Sequence, residues 1–139
     1  MNRMTAFSIT LALLGATGAF AAVKQGTLAQ ASPGLWELSG MPASKVPVRR
    51  CVPDLHELLV LEHRGGHCKQ SVLQDDGTQM KAQFTCPGGG FGPRSVRVIT
   101  PRSLRIETQG IAHNSPYSYV VQARRTGDCP SSKKPERGH

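Results

Sequence analysis

The stretch from Thr85 to Val96, TCPGGGFGPRSV, contains three consecutive glycines and raises the question of phosphate binding. A phosphate-binding loop leads from a strand into a helix and ends in lysine followed by serine or threonine, so that backbone N–H groups and the lysine surround the phosphates. This stretch has no lysine and leads into a strand pattern. The sequence therefore predicts a glycine-rich hairpin loop, with ligand contact by an exposed Phe91 at its tip as the alternative.

Histidines form the second set of residues whose types could do chemistry. His56 and His63 are seven residues apart on one face of a predicted helix, and His67 follows closely. A zinc hydrolase places its second histidine four residues after the first, and that position is not histidine here. The chain also has no Gly-x-Ser-x-Gly nucleophile motif. We therefore expect surface histidines with at most adventitious metal binding, no cofactor and no enzymatic activity.

The four cysteines predict a disulfide framework. Cys51, Cys68, Cys86 and Cys129 are separated by 17, 18 and 43 positions, whereas zinc ligands usually occur in pairs two to four residues apart. An even number of cysteines in an exported chain favours disulfides, with three alternative pairings. We favour Cys51–Cys68, which would fasten a short excursion, and Cys86–Cys129, which would tie the last strand to the middle of the chain.

Export is predicted by the first residues of the chain. Arg3 precedes an apolar run from Ala6 to Ala16 and the small-residue site Ala19-Phe20-Ala21, the pattern of a secretory signal peptide over residues 1–21. The run is shorter than the about 20 apolar residues that span a membrane, and no later segment reaches that length. We expect a periplasmic or secreted protein without a transmembrane segment after cleavage, beginning with a flexible leader over residues 22–32.

The charge of the chain indicates the class of partner. The formal net charge is +8 at pH 7, and removal of residues 1–21, which carry only Arg3, leaves +7 on 118 residues, enough for one domain. This excess serves solubility alone or, in an exported protein, favours an anionic lipid head group, an acidic polysaccharide or an acidic envelope protein over nucleic acid. We predict one β-rich domain over residues 33–130 and a disordered basic tail over residues 131–139.

Strand patterns dominate the predicted domain, because apolar residues alternate with polar ones along most of it. The expected strands are Gly34 to Ser39, a proline-containing edge strand from Lys45 to Cys51, two hairpins, and a last strand from Tyr117 to Arg124. One short helix is predicted over Pro53 to Glu62. The fold class is therefore mainly β: an antiparallel curved sheet, sandwich or partly closed barrel with one helix and two disulfides.

An ordered set of motifs resembles a known family. Pro33-Gly34-Leu35-Trp36-Glu37, Cys51-Val52-Pro53, Cys68, Cys86 and Gly127-Asp128-Cys129-Pro130 together look like the exported bacterial domain-of-unknown-function family 3617 (DUF3617). The resemblance covers most of the predicted mature chain. It implies a small periplasmic β-rich domain and supplies no reaction or catalytic residue.

Arginines give the sequence its main binding hypothesis. Arg97, Arg105 and Arg124 fall on the positions that alternate with apolar residues, so that one face of the sheet should be basic, and Arg94 is expected on the same exposed side after the glycine loop. We expect this face to contact an anionic envelope component, since guanidinium groups bind carboxylate and phosphate in a bidentate manner. The alternative is a carrier of a small apolar ligand or lipid in a pocket beneath the helix, lined by aromatic residues: Trp36, Phe84, Tyr117 and Tyr119.

Overall fold

The computed structural model describes residues 26–62 and 67–131, and these form one seven-stranded antiparallel sheet that curves without closing. The sheet order is β2-β1-β7-β6-β5-β4-β3. The strands are β1 Gly34–Ser39, β2 Val48–Val52, β3 Lys69–Asp75, β4 Gln79–Thr85, β5 Phe91–Thr100, β6 Ser103–Ala112 and β7 Ser115–Gly127. The predicted mainly β fold is confirmed, as is the placing of the proline-preceded second strand at an edge of the sheet.

Alternation of side chains divides the sheet into two faces. One face, which we call the inner face, carries the fully buried residues, among them Trp36, Leu38, Phe84, Leu104 and Ile106. The opposite face, which we call the outer face, carries the side chains between them. Because successive strand residues point to opposite sides, the alternating sequence pattern produces one apolar layer and one polar layer.

Two short 3-10 helices cover the inner face: η1 Thr27–Gln30 and η2 Leu55–Leu59. Leu28 is buried in the first, and Leu55, Leu58 and Leu59 are buried in the second. The helix expected over residues 53–62 is reduced to this single η2 segment, with a bend before it and a turn after it at Leu61. Short 3-10 segments of this kind are common as connectors.

The start of the domain lies earlier than the sequence patterns indicate. A flexible leader was expected over residues 22–32, but Thr27 is fully buried and its backbone N–H and hydroxyl donate to the Asp75 carboxylate at 2.9 and 2.6 Å. These hydrogen bonds fix η1 against the β3–β4 hairpin. The predicted signal peptide, residues 22–25 of the leader, His63 and residues 132–139 of the tail lie outside the described residues.

All four cysteines form disulfides, as expected, but the favoured pairing is wrong. Cys51 is bonded to Cys129 and Cys68 to Cys86, with S–S distances of 1.98 and 2.06 Å. The first bond follows from the sheet order, because Leu35 of β1 pairs with Cys51 on one side and with Gly127 on the other. The second closes the open end of the β3–β4 hairpin.

The glycine-rich stretch is a tight turn followed by a strand. Cys86 donates its backbone N–H to the Gly90 carbonyl at 2.7 Å, and Gly88 and Gly89 have φ angles of 87° and 95°. Non-glycine residues rarely adopt such angles, which explains the glycines. The strand β5 begins directly afterwards at Phe91, five residues earlier than the alternation of Val96 and Val98 indicates.

Candidate ligand-binding surface on the outer face

Arg94 lies on the inner face, and its prediction as an exposed binding residue is wrong. Only 3% of the residue is exposed. Its guanidinium donates to the carbonyl oxygens of Leu59 and Gln109 at 3.0 and 2.9 Å and to the Tyr117 hydroxyl at 2.5 Å. It also lies 5.2 Å from the centre of the Tyr117 ring. Arg94 therefore fastens η2 to the sheet and is not available to an external ligand.

Two glycines allow β5 and β6 to approach closely near the buried Arg94. Gly92 pairs with Phe84 on one side, Gly110 pairs with Tyr117 on the other, and the two glycines come together between these aromatic residues. A Cβ atom on Gly92 would lie 2.0 Å from the Gln109 carbonyl oxygen. Glycine is required here for the close approach of β5 and β6. Arg94, two residues further along β5, lies over the Phe84 ring at 5.8 Å.

The aromatic residues of the carrier hypothesis belong to this packed layer. Trp36 and Phe84 are 0% and 2% exposed and contribute to the core. Tyr119 donates its hydroxyl to the Glu62 carboxylate. Desolvation by burial, followed by this hydrogen bond to the carboxylate, raises the pKa of the Tyr119 phenol well above its ordinary value. These side chains contact other protein groups.

Arg97 and Arg105 lie on the outer face, directly opposite each other on β5 and β6. Like charges in such a pair are unfavourable, because their Cβ atoms are only about 5 Å apart. Arg105 is paired with Glu107 at 3.1 Å, whereas within residues 26–62 and 67–131 Arg97 donates only to the neutral Gln79 amide oxygen, at 3.2 Å. The pair therefore presents a positive charge that the described residues do not neutralise.

Arg124 lies on the same face, one row nearer the β5–β6 turn. Its register partners are Ser103 on β6 and Glu37 on β1, and it forms an ion pair with Glu37 at 3.0 Å. Glu37 also lies 3.6 Å from Arg49. Since one carboxylate is shared between two arginines, this row keeps a net positive charge.

Lys81 is a basic residue of the outer face that the sequence hypothesis omitted. It pairs with Ser95, so it is a diagonal neighbour of Arg97, whose partner on β4 is Gln79. No carboxylate of the described residues lies within ion-pair distance of its ammonium group. Lys81, Arg97 and Arg105 form what we call the cationic cluster. The alternation that placed the arginines also places Lys81, which precedes buried Ala82.

A shallow groove of about 270 Å³ crosses the outer face beside the cationic cluster. The groove is lined by residues of five neighbouring strands, β3 to β7. Its middle contains Pro93 and Ser95, Lys81 is part of its wall, and the apolar residues Leu73 and Val120 lie at its two ends. Leu73 is 68% exposed and Val120 is 37% exposed.

Phe91 lies beyond this groove, on the side away from the arginines. It is the first residue of β5, pairs with Thr85 and Ile111, and is 48% exposed. Phe91 is therefore accessible, but on a strand instead of at a loop tip. The outer face is basic near the β5–β6 turn and carries the exposed Phe91 near the start of β5.

The family comparison agrees with the motifs in the sequence. Residues 31–129 match the family described as "Protein of unknown function (DUF3617)". The chain belongs to this family. No curated protein and no solved structure gave a match. The DUF3617 match includes all seven strands and all four cysteines, so that the two disulfides and the outer face lie within the family domain.

The remaining candidate residues of the DUF3617 domain have local roles. The His56 ring nitrogen lies 2.9 Å from the Asp54 carboxylate, which also accepts the His56 backbone N–H and caps η2. Within residues 26–62 and 67–131, no group of three or more His, Cys, Asp or Glu residues is arranged to hold a metal ion. The same ranges contain no helix long and apolar enough to cross a membrane. The two disulfides indicate an oxidising environment.

Proposed function

We propose that this domain is a non-enzymatic binding module that contacts an anionic envelope component through its outer face. The observation that carries the proposal is the cationic cluster, in which Arg97 and Arg105 are directly opposed and Lys81 has no carboxylate partner among the described residues. An anion between these side chains would relieve the like-charge repulsion. Guanidinium groups also favour phosphate and carboxylate through parallel hydrogen bonds.

The compartment in the proposal is the periplasm or the exterior. The signal-peptide pattern of residues 1–21 supports export, and the two disulfides are consistent with it. In that compartment the abundant anions are lipid phosphates and acidic polymers instead of nucleic acid. The carrier alternative with a pocket beneath η2 receives no support from the positions of Trp36 and Phe84, which are packed in the core.

Retention on immobilised heparin at low salt tests whether the outer face binds anions. The test variant is Arg97→Gln/Arg105→Gln. The control is Lys45→Gln/Lys69→Gln, which removes the same charge from exposed positions outside the cationic cluster. We expect the test variant to elute at a clearly lower salt concentration than the control, because it loses the contacts between the cationic cluster and heparin that salt must screen to release the protein. Equal elution of the two variants would show that net charge alone causes retention and would contradict the proposal.

A further inference from the structure

We propose that the ligand of the outer face is an anionic lipid, with its acidic head group at the cationic cluster and one acyl chain in the adjacent groove. This inference rests on the proposed function, and it adds the chemical class of the ligand. The groove and the cluster share Lys81, which is both a wall of the groove and a diagonal neighbour of Arg97. A ligand with a charged end and an apolar chain would occupy both.

Apolar residues in the groove favour an acyl chain. Pro93 lies in its middle, and Leu73 and Val120 lie at its ends with 68% and 37% of their surfaces exposed. Exposed apolar residues scattered singly are ordinary, but here they follow one depression beside Lys81 and Arg97, which have no carboxylate partner among the described residues. Contact with the methylene groups of an acyl chain would remove the apolar surface of Leu73, Pro93 and Val120 from water, which is favourable. A polysaccharide has no acyl chain and would not give this gain.

The dimensions of the groove also fit one chain. Four intervals between neighbouring strands separate β3 from β7, which corresponds to about 19 Å at a strand spacing of about 4.8 Å. An acyl chain in a bilayer spans half of the hydrocarbon core, about 15 Å. A single chain can therefore lie across the strands, with the row of Arg97 and Arg105 along one side and Phe91 along the other.

Charge complementarity selects an acidic head group. Glu107 is the one carboxylate that lines the groove, and it is already paired with Arg105 at 3.1 Å. Lys81 and Arg97 have no carboxylate partner among the described residues, so a phosphate between them would meet two available cations. In a zwitterionic head group the ammonium group offsets the attraction of the phosphate to these cations, so it would bind more weakly.

Isothermal titration with three soluble probes tests the inference on the disulfide-bonded protein. The probes are 1-palmitoyl lysophosphatidic acid below its micelle concentration, the corresponding lysophosphatidylcholine, and glycerol 3-phosphate. We expect the lysophosphatidic acid to bind at least tenfold more tightly than either of the other two. Equal affinity for glycerol 3-phosphate would overturn the acyl-chain site, and equal affinity for lysophosphatidylcholine would overturn the acidic head-group site.

Variants of the groove separate this inference from the proposed function. Leu73→Ser/Val120→Ser removes the apolar ends and keeps every charge, and Val46→Ser/Ile99→Ser removes apolar surface at exposed positions that do not line the groove. The first pair should lose about tenfold in affinity for lysophosphatidic acid and retain the heparin elution of the wild type, while the second should change neither. If the two pairs bind the lipid equally well, the groove site is refuted, although heparin retention through Arg97 and Arg105 would still support the proposed function.

Discussion

Removal of each disulfide should cost a different amount of stability, because the two bonds close loops of different length. Cys51–Cys129 closes a loop with a sequence separation of 78, and Cys68–Cys86 closes one of 18 within it. A disulfide stabilises mainly by lowering the entropy of the unfolded chain, and this effect grows with the logarithm of loop length. The loop entropies correspond to about 4.5 kcal/mol for the longer loop and about 3.2 kcal/mol for the shorter one at 25 °C.

Urea unfolding of two variants measures this difference. Cys51→Ala/Cys129→Ala should lose about 1.3 kcal/mol more in free energy of unfolding than Cys68→Ala/Cys86→Ala. For a small domain the first loss is a large fraction of the total stability, which is about 5 to 15 kcal/mol. A greater loss from removal of the shorter loop would show that local packing, and not chain entropy, determines what these bonds contribute.

Tryptic digestion without reduction tests the pairing on which that calculation depends. Cleavage after Arg50, Arg64, Lys69, Lys81, Arg94, Arg125 and Lys133 would place each cysteine on a separate peptide. Mass spectrometry should find residues 51–64 linked to residues 126–133, and residues 65–69 linked to residues 82–94. A bond between residues 51–64 and residues 65–69 would refute the pairing and the sheet order that explains it.

Two further outcomes follow from polar side chains that make several hydrogen bonds. Arg94→Met should lower the free energy of unfolding, measured in urea, by about 3 to 5 kcal/mol, because the buried carbonyl oxygens of Leu59 and Gln109 lose their donor. The control Arg97→Met should change the free energy of unfolding by less than about 0.5 kcal/mol. Equal losses in the two variants would contradict the burial of Arg94. Desolvation alone would raise the pKa of Asp75, but hydrogen bonds from Thr27 and Gly77 outweigh this effect and hold the pKa below the ordinary 3.8. The stabilisation by the Asp75 carboxylate is therefore present above pH 3.8 and is lost as the pH falls below that value. Asp75→Asn should reduce the loss of unfolding free energy at acid pH, and an unchanged loss would show that Asp75 does not cause it.

Strands with regular alternation were predictable from the sequence. The bounds of β1, Gly34–Ser39, agree with the prediction because Trp36 and Leu38 occupy every second position without interruption. The β3–β4 hairpin was predictable because an acidic turn precedes the alternating run of β4, although β3 itself does not alternate. Its register also places Lys69 opposite Thr85, and one step further along it brings Cys68 opposite Cys86. That register depends on the irregularity between Val72 and Gln74, which the sequence patterns do not predict, so the predicted hairpin alone does not identify the correct disulfide.

Contacts between distant strands explain what the sequence patterns missed. The start of β5 contains glycine and proline, which weaken strand patterns, so the sequence predicts a loop for its first five residues. The close approach of Gly92 and Gly110 depends on residues 18 positions apart and leaves no local signal. Likewise, Cys51 meets Cys129 only because β1 pairs with both β2 and β7.

Even-numbered and odd-numbered residues of β5 lie on opposite faces of the sheet, so the residues that stabilise the domain differ from those of the proposed binding surface. Arg94 is an even-numbered residue that shares the inner face with Val96, and Arg97 is an odd-numbered residue that shares the outer face with Ser95. Two arginines three positions apart therefore have opposite environments, one contacting η2 and the other facing solvent. Since the strand period is two residues, substitutions at even positions from residue 94 to residue 98 act on folding. Substitutions at the odd positions from residue 93 to residue 97 can then be used to test ligand binding without loss of the fold.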